Sequence, residues 1–255
     1  FDLELVSTKE PFKKLFNQGM ILGQDGSKMS KSKGNVVNPD KTVDEYGTDS
    51  MRIYEMFMGP LDKAKPWSTS GLQGCSRFIK KLWSILVDNN GVISKKFTNK
   101  NDSKETLQAL HMMIKKVTTN LDRLQFNTCI SEFMIFTNHL QKLETFNKNT
   151  IKPFIILMNP FMPHLAQELW ELIGERTELT FEKWPTYNKE LILSDEIIIP
   201  IQINGKRRSE ISISVEQSED EVIKKAKSDD KIASYLTNAT IVKEIYITGK
   251  ILNIV

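Results

Sequence analysis

Residues 28–35 read Lys28-Met29-Ser30-Lys31-Ser32-Lys33-Gly34-Asn35, and this stretch is the most informative part of the chain. It places three lysines within six residues. Asp25-Gly26, just upstream, is typical of a turn, and Gly34 tolerates a positive φ. A short loop with this lysine spacing can surround a polyanion and supply fixed positive charge during phosphoryl chemistry. A solvated basic loop is the alternative interpretation of the same residues.

The order Lys-Met-Ser-Lys-Ser resembles the second signature of the class I aminoacyl-tRNA synthetases, in which this loop closes over the triphosphate of ATP. The flanking residues 10–20 (Glu-Pro-Phe-Lys-Lys-Leu-Phe-Asn-Gln-Gly-Met) and 36–40 (Val-Val-Asn-Pro-Asp) resemble the leucyl members of that family in particular. Valyl, isoleucyl and methionyl members share the lysine loop, so the choice among them depends on these flanks and on the C-terminus. Together these similarities extend over nearly the whole chain.

The resemblance implies roles for the loop residues in the activation of leucine by ATP, with Mg²⁺ accompanying the nucleotide. Lys28 and Lys31 would be catalytic, because they would contact the phosphates and stabilise the departing pyrophosphate. The two serines would shape the loop or donate to phosphate oxygens, and the methionine would pack the loop down. A solvated role fits Lys33 as well as a phosphate contact does. The predicted ATP contact therefore consists of Lys28, Met29, Ser30, Lys31 and Ser32.

Length and composition are those of an ordinary soluble globular protein. The 255 residues are enough for two or three domains, and 40% are hydrophobic and 26% charged. No apolar run reaches the length of a membrane span, and the chain starts at Phe1 without a signal-peptide pattern. We therefore expect a fragment of a longer protein that is cytoplasmic, monomeric and without a membrane partner. Cys75 and Cys129 lie far apart and predict buried thiols, and no spacing predicts a metal site.

The net charge of +3 is unevenly distributed along the chain. Residues 60–100 contain eight basic and only two acidic residues, so this segment is the expected docking region for a phosphate backbone. Arg77, Lys80 and Lys81 are spaced i, i+3 and i+4 and so share one face of a predicted helix. We predict that this face binds tRNA, and a merely solvated outer face is the alternative.

Four long segments between residues 70 and 173 are apolar at helical spacing. The predicted helices span 70–86, 103–124, 127–146 and 150–173. Pro160 and Pro163 predict a break in the last of them at 159–163. Short connections between long amphipathic helices predict an antiparallel bundle, and this one resembles the class Ia anticodon-binding type.

Shorter elements precede the bundle and resemble the end of a Rossmann-like catalytic domain. The pattern predicts a strand at 1–6, a helix at 10–18, a strand at 20–23, and two helices that stop at Gly47 and near Gly59-Pro60. Thr48 and Asp49 are the expected caps of the second of these two helices. Trp67 is predicted to be a packing anchor rather than a base contact. A structural role is likewise predicted for His164, because no second ligand lies at metal-binding spacing.

The last sixty residues change from helical to alternating periodicity. Ile197, Ile199, Ile201 and Ile203 alternate, as do Ile211, Ile213 and Val215, and Asn204-Gly205 between them predicts a hairpin. Two short helices at 218–227 and 229–236 and two strands at 241–247 and 251–255 complete a small α/β domain. This domain resembles the C-terminal domain of bacterial-type leucyl enzymes, with Arg207 where the family commonly has valine. The resemblance implies contacts with the outer corner of tRNA through Lys206, Arg207, Arg208 and Lys250.

The predicted fold is mainly α with a small α/β C-terminal domain, arranged as three parts. Residues 1–66 would end a catalytic domain, 67–190 would form the anticodon-binding-type helix bundle, and 191–255 would form the tRNA-binding domain. The resemblance implies leucine–tRNA ligase activity toward tRNA(Leu) in a longer protein. The family's first, His-x-x-His-like signature is missing, since the only histidines are His111, His139 and His164. Two alternatives stay open: a stand-alone tRNA-binding module without catalysis, and a valyl-type ligase.

Overall fold

A computed structural model describes residues 1–192, 196–214, 217–237, 239 and 241–255. Val215, which belongs to the predicted alternation, lies outside these residues. The chain divides into two compact units, Phe1–Lys189 and Glu190–Val255. Within the described residues, no helix combines the length and the apolarity needed to cross a membrane.

The first unit is mainly helical, and its loops contain short paired strands. Its helices are α1 (Pro39–Tyr46), α2 (Thr48–Phe57), α3 (Thr69–Leu86), α4 (Lys104–Asp122), α5 (Phe126–Lys142), α6 (Lys148–Met158) and α7 (Pro163–Leu172). Its strands are β1 (Ile21–Leu22), β2 (Lys65–Pro66), β3 (Phe97–Thr98) and β4 (Phe146–Asn147). β1 pairs in parallel with β2, and β3 pairs in parallel with β4. The mainly α character of the predicted fold is confirmed.

Helix boundaries follow the capping residues of the sequence. The hydroxyls of Ser68 and Ser103 accept hydrogen bonds from Gly71 N and Thr106 N, both at 3.2 Å, at the starts of α3 and α4. Each cap provides a partner for a backbone N–H that has none inside the helix. The predicted apolar stripes are buried between the helices, with Leu82, Val117 and Ile130 fully enclosed.

Helix α2 contacts the start of α7, just after the break between α6 and α7. The predicted interruption is confirmed, since α6 ends at Met158 and α7 begins at Pro163. Asp49 was expected to cap its own helix, and this is wrong: Gly47 is the N-cap of α2 and makes no side-chain cap. The Asp49 carboxylate instead accepts from Leu165 N at 2.7 Å and contacts His164 Nδ1 at 2.9 Å. Asp49 therefore satisfies the first turn of α7, because its side chain faces that helix across the core.

The predicted strand at 1–6 and helix at 10–18 are wrong, since residues 1–20 contain neither. A helix there would present Phe12 and Leu15 on one face, yet these side chains are 83% and 85% exposed. Short helices gain their stability from packing an apolar face, and this face has no partner within the described residues. Regular structure begins at β1, where Lys65 N donates to Met20 O at 2.9 Å and Trp67 N to Leu22 O at 2.9 Å. Trp67 itself is buried and packs edge-on against Tyr54, as predicted for an anchor.

The second unit is a four-stranded sheet covered by two helices. The two covering helices are α9 (Glu219–Lys227) and α10 (Asp230–Leu236), and a short helix, α8 (Lys189–Ile192), begins at the unit boundary. The strands β5 (Glu196–Ile203), β6 (Lys206–Ser214), β7 (Glu244–Ile247) and β8 (Ile251–Ile254) lie in the order β6-β5-β8-β7. β5 is antiparallel to β6 and parallel to β8. The predicted hairpin is confirmed, because Asn204 and Gly205 have φ values of 50° and 75°.

Candidate functional site

The backbone of the lysine loop is arranged around Ser30. Lys31–Lys33 form one turn of 3₁₀ helix, and the Ser30 hydroxyl accepts from Lys33 N at 3.3 Å to cap it. Gly34 ends the turn with a φ of 67°, a conformation that favours glycine. Ser30 Oγ also lies 3.0 Å from Ser32 Oγ. Both serines therefore shape the loop, and their hydroxyls sit beside the turn that carries Lys31.

Asn35 clamps the base of this loop. Its Oδ1 accepts from Ser30 N at 2.9 Å, while its Nδ2 donates to Ser27 Oγ at 3.0 Å and Lys28 O at 3.4 Å. One amide side chain thus joins the backbone on both sides of Met29. The sequence did not single out Asn35 for a role, although a polar residue directly after the loop glycine is the only signal that could have suggested one.

Asp25 extends the clamp. Its carboxylate accepts from Ser27 N at 3.0 Å and from Ser27 Oγ at 2.8 Å. These hydrogen bonds, with a further one from Asn35, hold the pKa of Asp25 below its ordinary value of 3.8. The carboxylate is therefore ionised at neutral pH and already committed to the loop backbone.

The lysine side chains contrast with this ordered backbone. Lys28, Lys31 and Lys33 are all exposed. Within the part of the chain that the structure describes, none of their ammonium groups forms an ion pair or a hydrogen bond. Met29 is half-buried and packs against the core of the first unit. The loop thus presents three free cations on a fixed frame, which suits a polyphosphate.

A divalent metal fits the loop less well than a phosphate does. Asp25 is the nearest carboxylate in sequence, and its oxygens are taken up by Ser27 and Asn35. The described residues contain no cluster of three metal-ligating side chains. A hard cation such as Mg²⁺ prefers several oxygen ligands, so these residues would hold it only together with a bound phosphate.

The predicted basic face lies on α3, as the spacing required. Arg77 and Lys80 are exposed, whereas Lys81 is half-buried and donates to Asn138 Oδ1 of α5 at 2.6 Å. On the same helix, Leu82 and Leu86 are buried in the bundle core. The helix therefore packs by one face and exposes two cations on the other, neither with an ion-pair partner among the residues that the structure describes.

The cations of the second unit fall into two separate groups. Lys206, Arg207 and Arg208 follow the hairpin turn, and Gly205 N in that turn donates to Asn253 Oδ1 at 3.1 Å. Lys250 lies in the turn before β8, at the opposite end of that four-residue strand. β8 runs parallel to β5 with Ile254 beside Ile203, so the hairpin and Lys250 lie at opposite ends of β8. The structure does not bring the four predicted residues together.

A residue that the sequence interpretation missed lies beside the hairpin end of the sheet. Lys243 is exposed, and its backbone N–H and carbonyl pair with Val255, next to the end of β8. Asn204 N, in the hairpin, bonds to Ile254 O at 3.0 Å. This pairing across distant positions in sequence adds a cation to the hairpin end, and only the strand register reveals it.

The cysteines and His164 have structural environments. Cys75 and Cys129 are buried free thiols, as predicted, and burial raises their pKa values to about 11 and about 12. They are therefore poor nucleophiles at neutral pH. His164 contacts Asp49, which caps the same helix, and this agrees with the predicted structural role.

Comparison with known proteins adds two family matches. The family described as tRNA synthetases class I (I, L, M and V) matches residues 3–67, which include the lysine loop. The family described as the anticodon-binding domain of tRNA ligase matches residues 103–224, which include α4 to α7.

The individual proteins similar to this chain that are described below are leucine–tRNA ligases. The chain is 43% identical over 99% of its length to a leucine–tRNA ligase of Chlorobaculum tepidum and 42% identical to that of Chlorobaculum parvum. It spans about a third of these relatives, covering 31% of each. A crystal structure of the LeuRS–tRNA–LeuAMS ternary complex of Agrobacterium radiobacter K84 is similar with a TM-score of 0.79 and 29% identity, over 99% of this chain and 34% of that one. The resemblance predicted from the lysine loop and its flanks is thereby confirmed: along its whole length, this chain is similar to part of a leucine–tRNA ligase of class I.

Proposed function

We propose that this chain is the C-terminal part of a leucine–tRNA ligase. The whole enzyme would join leucine to ATP, release pyrophosphate and transfer the leucyl group to the terminal adenosine of tRNA(Leu). Within it, residues 1–66 would end the Rossmann-like catalytic domain, 67–190 would form an antiparallel bundle of the class Ia anticodon-binding type, and 191–255 would form a second tRNA-binding domain. The similarity to leucine–tRNA ligases over 99% of the chain supports this assignment.

The catalytic part of the proposal rests on the exposure of the loop lysines. Lys28 and Lys31 are exposed, and each extends from a loop that Asn35 and Ser30 hold in shape. When the carboxylate of leucine attacks the α-phosphorus of ATP, negative charge grows on the departing pyrophosphate. Cations fixed beside that group stabilise the transition state more than the ground state, which raises the rate.

Mg²⁺ would arrive with ATP, and when bound it would neutralise phosphate charge. The residues of this chain would contact the phosphates of ATP through the two lysines and the hydroxyls of Ser30 and Ser32. Met29 would keep the loop against the core, so that closure over the nucleotide needs little rearrangement of the backbone. Lys33 would stay in solvent or reach a terminal phosphate.

The tRNA part of the proposal has independent support. The similar crystal structure is described as containing tRNA, and residues 103–224 match an anticodon-binding domain. In this chain, Arg77 and Lys80 are two exposed cations on α3, and the second unit has more around its hairpin. Contacts of this kind position a nucleic acid without reading its bases.

ATP–pyrophosphate exchange by the full-length protein, measured with each of the twenty amino acids, tests the proposed reaction. Leucine should support exchange far better than isoleucine, valine or methionine. Exchange with valine in preference to leucine would assign a valyl-type ligase, and no exchange with any amino acid would contradict the ligase assignment.

For the 255-residue chain alone, we propose tRNA binding without catalysis. Its sequence holds the lysine loop but not the family's His-x-x-His-like signature, so it would supply only one half of the ATP site. Fluorescence anisotropy with labelled tRNA(Leu) should show salt-dependent binding, while pyrophosphate exchange stays at background. Exchange above background by the isolated chain would contradict this division of labour.

A further inference from the structure

The hairpin of the second unit contains a β-bulge that gives one arginine a special position. Ile201 pairs with Ser209 and Gln202 pairs with Arg207, so Arg208 is the extra residue between them. A bulge leaves its extra residue unpaired and redirects its side chain. The guanidinium carbon of Arg208 lies 4.8 Å from the centre of the Tyr235 ring, which belongs to α10. The bulge thus places this arginine over an aromatic ring of the neighbouring helix.

The neighbouring arginine is in a different state. The Arg207 guanidinium pairs with the Glu210 carboxylate, three residues along the same strand. This pair compensates the charge of Arg207 and occupies part of its donor set. Arg208 packs on the uncharged Tyr235 ring, and no carboxylate among the described residues pairs with it, so its charge stays available while its orientation is restricted.

The surroundings of Arg208 favour an anionic ligand. Lys231 and Arg208 line a shallow cleft, together with Arg207, Ser209, Glu210 and Asp229. Asp229 is committed to capping α10, where it accepts from Ile232 N at 3.1 Å. Tyr235 is 47% exposed, so part of its ring stays open beside the arginine. Arg208, Lys231 and part of the Tyr235 ring therefore face solvent, while Asp229 caps α10 and Glu210 pairs with Arg207.

We propose that Arg208, Tyr235 and Lys231 form a contact surface for the tRNA backbone, with Arg208 as the main phosphate-binding residue. Tyr235 is a positioning residue: it holds the guanidinium so that its planar fork faces a phosphate, which accepts two parallel hydrogen bonds from arginine. Lys231 adds a second, less directional charge. This inference rests on the proposed tRNA-binding function and refines it, because it assigns the contact to Arg208 and α10 and excludes Arg207.

Binding of labelled tRNA(Leu) to the 255-residue chain, measured by anisotropy over a range of salt concentrations, tests this inference. Arg208→Gln should reduce the slope of log affinity against log salt by about 0.7–0.9, the value for one lost phosphate contact. The double variant Arg207→Gln, Glu210→Gln is the matched control and should leave the slope nearly unchanged, because it removes both members of a compensated pair. Equal slopes for the two variants would overturn the assignment.

Two further variants separate positioning from charge. Arg208→Lys keeps the charge but loses the planar guanidinium fork. It should therefore weaken binding by roughly threefold to tenfold, while the salt slope stays the same. Tyr235→Leu should weaken binding by a similar factor, and Tyr235→Phe should bind normally because it keeps the ring. Normal binding by Tyr235→Leu would overturn the positioning role. If the unchanged chain binds no tRNA, the proposed function fails and this inference fails with it.

Discussion

The lysine loop and the C-terminal hairpin each carry three cations in a short stretch, yet those cations are in different states. In the loop, Lys28, Lys31 and Lys33 extend freely from a backbone that is held by side-chain hydrogen bonds. In the hairpin, Arg207 is paired with Glu210 and Arg208 lies over Tyr235. The number of basic residues is the same in both places, but the number of available charges differs.

This difference matches two kinds of phosphate binding. A loop that closes over a small polyphosphate needs several unpaired cations on a preorganised frame, because charge develops there during the reaction. A surface that docks a large nucleic acid benefits from cations that are already oriented, since ordering them on binding would cost conformational entropy. Substitutions in each region can test whether the two divide their work in this way.

The largest effect is expected in the loop. In the full-length enzyme, Lys31→Ala should lower the rate of leucine activation by about 10²–10³-fold, because one preorganised charge is lost from the transition state. The KM for leucine should change far less, since the lysine contacts only the phosphates. Pyrophosphate-exchange kinetics measure both quantities. Lys33→Ala is the matched control and should retain most activity, and unchanged rates for both Lys28→Ala and Lys31→Ala would refute the catalytic role.

The local patterns of this chain could be predicted from the sequence because they depend on neighbouring residues. The long helices, the break at 159–163 and the Asn204-Gly205 hairpin all follow from spacing, proline chemistry and turn geometry. The lysine loop was recognisable for the same reason, since its residues are contiguous.

Features that depend on tertiary pairing could not be predicted. Asp49 has the sequence position of a cap for α2, yet it caps α7, more than a hundred residues away. The helix expected at 10–18 does not form, because its apolar face has no partner among the described residues. The bulge at Arg208 and its contact with Tyr235 depend on strand register and helix packing, neither of which a single sequence specifies.

The second-largest effect should come from deleting the second unit, which carries the hairpin. Deleting residues 195–255 from the full-length enzyme should leave leucyl-adenylate formation intact but lower aminoacylation by on the order of tenfold to a hundredfold, because phosphate contacts supply much of the affinity for nucleic acid. Pyrophosphate exchange and tRNA charging measure the two steps separately. Normal charging would show that the second unit does not dock tRNA, and loss of exchange as well would show that it supports the fold.

The frame of the loop should matter less than its charges. Asn35→Ala removes the acceptor for Ser30 N and the donor to Ser27, so the loop should be ordered in a smaller fraction of molecules. We expect leucine activation to fall by about threefold to tenfold, since each hydrogen bond contributes about 0.5–1.5 kcal/mol. Asn38→Ala is the control, because Asn38 caps α1 through Asp40 N and leaves the loop intact. A rate for Asn35→Ala equal to that of the control would show that the clamp is dispensable.

The basic face of α3 provides a third set of charges, of which two are exposed and one, on Lys81, is hydrogen-bonded to Asn138. Arg77→Gln and Lys80→Gln should each reduce the salt slope of tRNA binding by about 0.9 if each contacts one phosphate. Lys81→Gln should change the slope least, because Asn138 holds that ammonium against α5. Reversing all three to glutamate should weaken binding further. An unchanged slope in the triple variant would mean that this face is only solvated.

The smallest effect concerns the titration of Asp25, which orders the loop base. Donors from Ser27 favour the ionised carboxylate, so its pKa lies below 3.8 in the folded chain. The stabilisation that it gives the loop is therefore fully present above pH 3.8 and is lost as the pH falls through the lower folded-state pKa. Ser27→Ala removes the hydroxyl donor and keeps the backbone donor, so the pKa of Asp25 should rise toward 3.8 without reaching it. An NMR titration of the Asp25 carboxyl carbon measures this shift, and an unchanged midpoint in Ser27→Ala would show that the hydroxyl does not hold the carboxylate in place.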